Sequence, residues 1–430
     1  MANAADTANY EILTLTKDGK ELALEGKTTS FDYYESLLSP NITAVMTFVD
    51  TGNSVNYDKK YDPQERKGTI YNALPLTGTG DEEVRFKITS KLGTLDFSRT
   101  PLYVNSAVNS DQESNREAVF LSLVSKTAIT NQETHVKKNY TGRSNSASVS
   151  IIAENLLGIP KDKLEIDKTA NGYPFIGNMK SPFEVIMMLA AKSTFDDGNP
   201  GFFFYETRDG HKFKAIDNLI KKSAVAEYYK TDVNVSSVNS NTDFKISSFS
   251  INKNQNLINA MKSGVYSSRR VYFNPQTFQE EESSFSIEDL PQSLGKSEPP
   301  KPKSGLKSDK YTRVLYSVKD VGALSSQVKS TETTSSKPQE WQGEVQMRYN
   351  LLMAQIAKIQ VPCNPNLKAG DVIKCHIQVI TDDDKVQGTS DPFSSGNYLI
   401  MDLCHHYDPK NSYTAMTIVR DTYGFKKSGG

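Results

Sequence analysis

The chain has 430 residues, with 50 lysines and arginines against 51 aspartates and glutamates, and 37% hydrophobic and 10% aromatic residues. That length accommodates about two to four domains with separate cores, and the even charge balance excludes a protein that coats nucleic acid or docks on an anionic membrane by charge alone. No basic segment leads into an apolar one at the start and nowhere do about 18 apolar residues run together, so a soluble protein made in the cytoplasm is expected.

The first hundred residues carry strand patterns. Ile42, Ala44, Met46 and Phe48 alternate with Thr43, Val45, Thr47 and Val49, and Val84, Phe86 and Ile88 alternate with Arg85, Lys87 and Thr89. Breakers at Gly52-Asn53, Gly78 to Gly80 and Gly93 divide these runs at the short intervals of an antiparallel barrel or sandwich. Near Ser114 the pattern changes: Ser114 with Glu117 forms a capping-box signature, and Val119, Phe120, Leu123, Val124 and Thr127 follow at helical spacing, which predicts a helix. A second helix carries Ile151, Ile152, Leu156 and Leu157 and stops at Gly158 and Pro160. A third starts with Ser181 at the N-cap, Pro182 at N1 and Glu184 at N3, with Val185, Met188 and Leu189 on its face. The run from Gly201 to Ile216 predicts a hairpin turning at Thr207 to Gly210.

Strand character returns from Asp243, with Phe244, Ile246 and Phe249, then Val265-Tyr266, then Val271 to Phe273. Between Ser284 and Gln342 the composition turns rich in Pro, Lys and Ser, which predicts an extended insertion unable to fold alone. Beyond it, Val345, Tyr349, Leu352, Met353 and Ile356 line one face of a helix. Strands follow at Asp371 to Val379, with Ile373, Cys375 and Ile377 on the apolar face, and at Tyr398 to His406 and Tyr413 to Val419, joined by a turn at Tyr407 to Asn411. The expected plan is mainly β with α+β: residues 1–105 a first β-barrel domain, 106–242 an α+β domain, 243–283 and 343–424 a second β-barrel domain, 284–342 the insertion, and 425–430 a loose tail. The two β units have the layout of a pseudo-repeat without residue-level self-similarity.

Chemistry is sparse. Cys363, Cys375, His376, Cys404, His405 and His406 are of metal-ligand type, but no C-x-x-C pair occurs and adjacent strand residues point to opposite faces, so Cys375 and His376 are not expected to share an ion. The odd count of three cysteines predicts free thiols, with Cys375 a small buried hydrophobe. Asp382 to Asp384 and Asp196-Asp197-Gly198 lack the alternating ligands of a calcium loop, and His135 and His211, with no nucleophile or carboxylate pattern beside them, are expected to be ordinary surface or turn histidines. Lys296, Lys301, Lys303 and Lys307 sit among Pro and Ser without interleaved aromatics, the composition of a tether. No catalytic residue, cofactor-binding residue or metal ligand is expected, and no enzyme activity.

Three segments, in order, resemble the tail hub or baseplate hub proteins of contractile-tail bacteriophages. They are Ser181-Pro-Phe183 through Gly201–Tyr205 with Asp209-Gly210 and Phe213; Asn366-Leu367 through Gly370-Asp371 to Ile373; and Gly396-Asn-Tyr398-Leu-Ile400 through His405 to Tyr413-Thr414 and Arg420-Asp421. The resemblance runs from about Tyr103 to Tyr423. It implies two tube-protein-like antiparallel barrels per chain and a homotrimer whose six barrels form a pseudo-six-fold ring. Such a ring would connect a hexameric tail tube to a trimeric central spike, within the virion tail baseplate, and contact other baseplate proteins. Its channel would pass DNA, without sequence-specific binding, and tape-measure protein. A carbohydrate-binding or tip-adhesin β protein, and a hub-like scaffold with cell-wall hydrolase activity, are the alternatives.

Overall fold

The computed structural model describes residues 7–53, 55–56, 64, 66–70, 76, 78–113, 116–195, 200–230, 242–253, 256–275, 277–287, 311–319, 338–380 and 389–422. The Asp196–Gly198 and Asp382–Asp384 clusters, the four lysines of the expected tether and the expected loose tail lie outside them.

Alternation of apolar and polar residues builds one sheet of 14 strands among the described residues. Its order is Ser248–Lys253, Gln355–Pro362, Tyr413–Arg420, Gly396–Tyr407, Thr28–Ser36, Thr43–Asp50, Arg116–Val124, Leu102–Glu113, Glu83–Ser90, Asn9–Lys17 and Lys20–Ala23. Val372–Ile377 pairs with Gly396–Tyr407 and carries Ala224–Lys230 on its other edge, and Gly93–Asp96 flanks Glu83–Ser90. The fold is therefore mainly β and mainly antiparallel, in two units with separate cores. In the first, Leu13, Phe31, Met46, Phe48, Val84, Phe86 and Leu121 pack together, with Phe86 against Phe31 at 4.6 Å and against Phe97 at 4.8 Å between ring centroids. In the second, Tyr228, Ile359, Ile373, Cys375, Tyr398, Ile400, Met416 and Ile418 do so. Each Leu, Val, Ile, Phe or Met among them contributes roughly 1.5–3 kcal/mol by leaving water.

An α+β unit lies between them in sequence. Helices Lys126–Glu133, Asn145–Asn155 and Pro182–Ala190 pack on the hairpin Phe202–Thr207/Gly210–Ala215 and on Leu164–Ile166, which runs parallel to the second hairpin strand. Val149, Ile152, Val185, Ile186, Leu189, Phe202, Phe204 and Phe213 form its core. The expected start at Ser181 is present as a capping box: the Ser181 hydroxyl accepts from the Glu184 amide while the Glu184 carboxylate accepts from the Ser181 amide. A separate three-stranded sheet, Gln279–Ser286, Ser267–Asn274 and Arg313–Val318, packs against helix Pro338–Leu352 through Phe285, Ile287, Met347 and Leu351.

Several expected elements differ. The segment around Val119 is strand Arg116–Val124, not a helix: it is paired along both edges, and Val119, Leu121 and Leu123 are its buried face while Phe120 is 39% exposed. Period two wins because each inward residue gains a core contact and every backbone group a ladder partner. The helix itself starts after Ser125, and Ser114 lies outside the described residues. Downstream, helix Pro338–Leu352 ends before Ile356, which lies in strand Gln355–Pro362. Asp243 and Phe244 sit in a single helical turn, Thr242–Phe244, and an unexpected helix Leu257–Ser263 is capped by the Asn256 side chain and ended by Gly264 at φ +77°. Within the expected insertion, Arg313–Val318 is a strand parallel to Ser267–Asn274. The expected boundary at residue 105 falls inside strand Leu102–Glu113, and Ala224–Lys230 belongs to the large sheet although its segment was expected in the α+β part.

Candidate assembly junction

The two β units meet along one seam. Thr28–Ser36 and Gly396–Tyr407 pair antiparallel from Asp402 opposite Ser36 to Tyr407 opposite Phe31, so the ladder passes from one unit to the other without a break. Contacts across the seam include the Ser36 hydroxyl on Asp402 at 2.6 Å, the Tyr10 hydroxyl on the Tyr407 carbonyl at 3.0 Å, and His406 Nδ1 with Asp32 at 2.6 Å. Tyr33 stacks on His405 across it.

A third element wedges into this seam: the turn of the α+β hairpin. The Arg208 amide donates to Glu35 Oε1 at 2.8 Å, and the Arg208 guanidinium donates to the Pro365 carbonyl at 2.5 Å. Lys368 Nζ donates to Asp209 at 2.7 Å, and the Ile42 amide to Glu206 Oε2 at 2.9 Å. Glu35 also accepts from the Tyr33 hydroxyl at 2.8 Å and from the Ala369 amide at 2.9 Å, so one carboxylate holds strand Thr28–Ser36, the hairpin turn and the loop before Val372 together. Burial pushes the carboxyls of Glu35 and Glu206 up to about 7, despite the hydrogen bonds that pull each down. The loop closes this tightly because Gly370 sits at φ +81° with the Tyr205 hydroxyl 2.4 Å from where a Cβ would stand.

A second anchor is buried nearby. Arg348, on helix Pro338–Leu352, makes a bidentate ion pair with Asp217, on helix Ile216–Ile220, and donates to the Pro200 carbonyl at 2.8 Å. The Tyr349 hydroxyl donates to the Phe202 carbonyl. In the second β unit Arg420 is fully buried over the Tyr398 ring, held by Gln355 at 3.0 Å and by the Ser395 carbonyl at 2.9 Å.

The sequence-selected histidines and cysteines do not converge. Cys363 and Cys375 are buried in different cores, Cys404 lies at the seam, and none is in a disulfide. Burial pushes the thiols of Cys375 and Cys404 up to about 12, which keeps them protonated and poor as ligands or nucleophiles. His376 binds Glu227 at 2.9 Å on the outer face, whereas His405 is buried with Nδ1 2.9 Å from the Thr414 hydroxyl. His211 is buried 3.7 Å from Glu206, not a surface residue as its sequence context suggests, and burial holds it down to about 3; His135 is exposed. Among the described residues, no group of three His, Cys, Asp or Glu side chains is placed to hold a metal ion. The residues that build the junction, Glu35, Glu206 and Arg208, and the separate Asp217–Arg348 pair were not selected from sequence. Glu35 alone carries a readable signal, as a charged residue at the inward position of the alternation Phe31, Tyr33, Glu35.

No protein-family model and no curated protein matches the sequence. Solved structures do match in shape. The 43 kDa tail protein of prophage MuSo2 from Shewanella oneidensis aligns over 96% of this chain and 99% of its own, at TM-score 0.53 and 11% identity. A tail protein from Neisseria meningitidis MC58 aligns over 97% and 98%, at TM-score 0.54 and 10% identity. The fold is that of these two tail proteins. The alignments run through nearly the whole of each chain in both directions, in keeping with the sequence resemblance to tail hub proteins.

Proposed function

We propose that the chain is a structural tail hub of a bacteriophage, carrying no catalytic centre and acting as a homotrimer. Three copies bring six barrel-like units into a pseudo-six-fold ring, which joins a hexameric tail tube to a trimeric central spike within the baseplate. The channel passes DNA and tape-measure protein. The domain plan proposed with it is two β units, an α+β unit and a segment inserted into the second β unit.

The observation that carries this reading is the seam between Thr28–Ser36 and Gly396–Tyr407, which fuses the two β units edge to edge inside one chain. A chain with two such units side by side is a ready-made pair of neighbours in a six-membered ring, and it covers one strand edge per unit that would otherwise stay open. The shared fold with two tail proteins supports the same conclusion. The hydrolase alternative finds no support in the carboxyls of raised proton affinity, because Glu35 and Glu206 are committed to backbone amides inside the junction rather than facing a cleft.

Native mass measurement of the purified full chain, alone and mixed with a trimeric spike protein from the same tail, tests the reading. Threefold species are expected, and a chain that stays monomeric in both samples would overturn it.

A further inference from the structure

The three-stranded sheet Gln279–Ser286, Ser267–Asn274 and Arg313–Val318 has two unlike faces. Arg270 and Tyr272 turn toward helix Pro338–Leu352, where they donate to Gln346 at 2.8 Å and Gln342 at 3.0 Å, so that face is covered. On the opposite face the register sets Val314 beside Arg269, Tyr316 beside Val271 and Val318 beside Phe273. There Val314, Tyr316 and Val318 are 51%, 76% and 66% exposed. Phe278 lengthens this apolar row: its backbone is left-handed at φ +58°, and its ring meets Phe273 edge-on with 6.1 Å between centroids.

Arg313–Val318 is also the last strand of its sheet among the described residues, paired on one side only. About half of its N–H and C=O groups therefore point outward with no strand beside them. Edge strands are commonly blunted by a charge, a proline or a bulge. Here the register runs without a shift, and the exposed row carries neither charge nor proline. We propose that this edge takes up an extended segment of another protein as a fourth strand, a segment apolar at alternate positions and acidic where it passes Arg313. The site lies on the single chain and does not rest on the assembly reading.

Charge selects this occupant. Arg313 stands at the head of the strand, on the helix side; its guanidinium donates to the Ser263 carbonyl at 3.0 Å and, among the described residues, is in no ion pair. Lys319, just past the other end, is paired with Glu281. Of these two cations only Arg313 is left to be met by a carboxylate. A second copy of the same strand does not supply one: antiparallel self-pairing centred on Tyr316 sets Arg313 opposite Lys319, and like charges directly opposite destabilise a sheet. An added strand contributes main-chain hydrogen bonds along the edge, while its alternate apolar side chains lie against Val314, Tyr316 and Val318.

Fluorescence anisotropy with the full chain tests this, using a labelled seven-residue peptide of alternating valine and threonine with glutamate at both ends. Saturable micromolar binding is expected, weakened about tenfold or more in Tyr316→Glu. Arg313→Glu should reverse the preference between this peptide and one with lysine at both ends. Two further peptides, N-methylated on the two alternate sets of backbone nitrogens, need no variant: the set facing the edge should lose binding about tenfold or more, and the other set should change it little. Absence of binding by the glutamate-ended peptide, equal effects of the two methylation sets, or binding indifferent to Tyr316→Glu or Arg313→Glu would each overturn the proposal. Self-association of the chain that Tyr316→Glu abolishes, with no peptide bound, would assign the edge to a second copy and overturn it as well.

Discussion

Gly370 and Asp217 show how much of the junction depends on single residues. Gly370 combines a left-handed backbone with a tyrosine hydroxyl where a side chain would stand. Gly370→Ala should therefore cost at least ~1–3 kcal/mol from the backbone alone, more with the displaced Tyr205, read as a lowered midpoint in urea unfolding. Asp217 neutralises Arg348 where both side chains are nearly fully buried. Asp217→Ala leaves that guanidinium uncompensated, so a loss of about 3–5 kcal/mol is expected; a loss below about 1 kcal/mol would show that water reaches the site. Neither pairing was legible in the sequence, because Asp217 and Arg348 are 131 residues apart and nothing local distinguishes them from surface charges. Glu35 was legible in principle, since a carboxylate on an inward position needs a partner.

Among the elements, those with one long uninterrupted period are legible in the sequence and short ambiguous ones are not. Thr43–Asp50, Glu83–Ser90 and the capped helix Pro182–Ala190 carry their own signals: strict alternation in the first two, and Ser181, Pro182 and Glu184 in the third. Residues 116–124 satisfy both periods, because Val119, Phe120, Leu123 and Val124 match a helix while Val119, Leu121 and Leu123 match a strand. Only the neighbouring strands decide between them. The two readings make opposite predictions by mutation. Leu121→Ala should cost ~2–5 kcal/mol because it empties a core position, whereas Phe120→Ala, on the outer face, should stay within about 0.5 kcal/mol. Thermal unfolding of both variants checks this, and a larger loss at Phe120 would contradict the strand register. The three-stranded sheet escaped notice for a different reason: Arg313–Val318 pairs with Ser267–Asn274 across a Pro- and Lys-rich stretch, a long-range pairing that composition cannot show.

For the whole molecule, two β units fused along a continuous ladder form the unit from which the proposed ring is built. The sequence indicated two β units by layout, but the seam between them could not be read from it. Its strands lie more than 350 residues apart, at Ser36 and Asp402, and their outward residues carry no pairing code. In the proposed ring this fused pair supplies two adjacent units and is repeated three times. The most direct measurement is a low-resolution electron-microscopy map of the oligomer formed by the full chain. Six barrel-like units around a central channel, arranged as three identical pairs, are expected. A map showing a lone pair, or a ring whose units do not come in three such pairs, would contradict it.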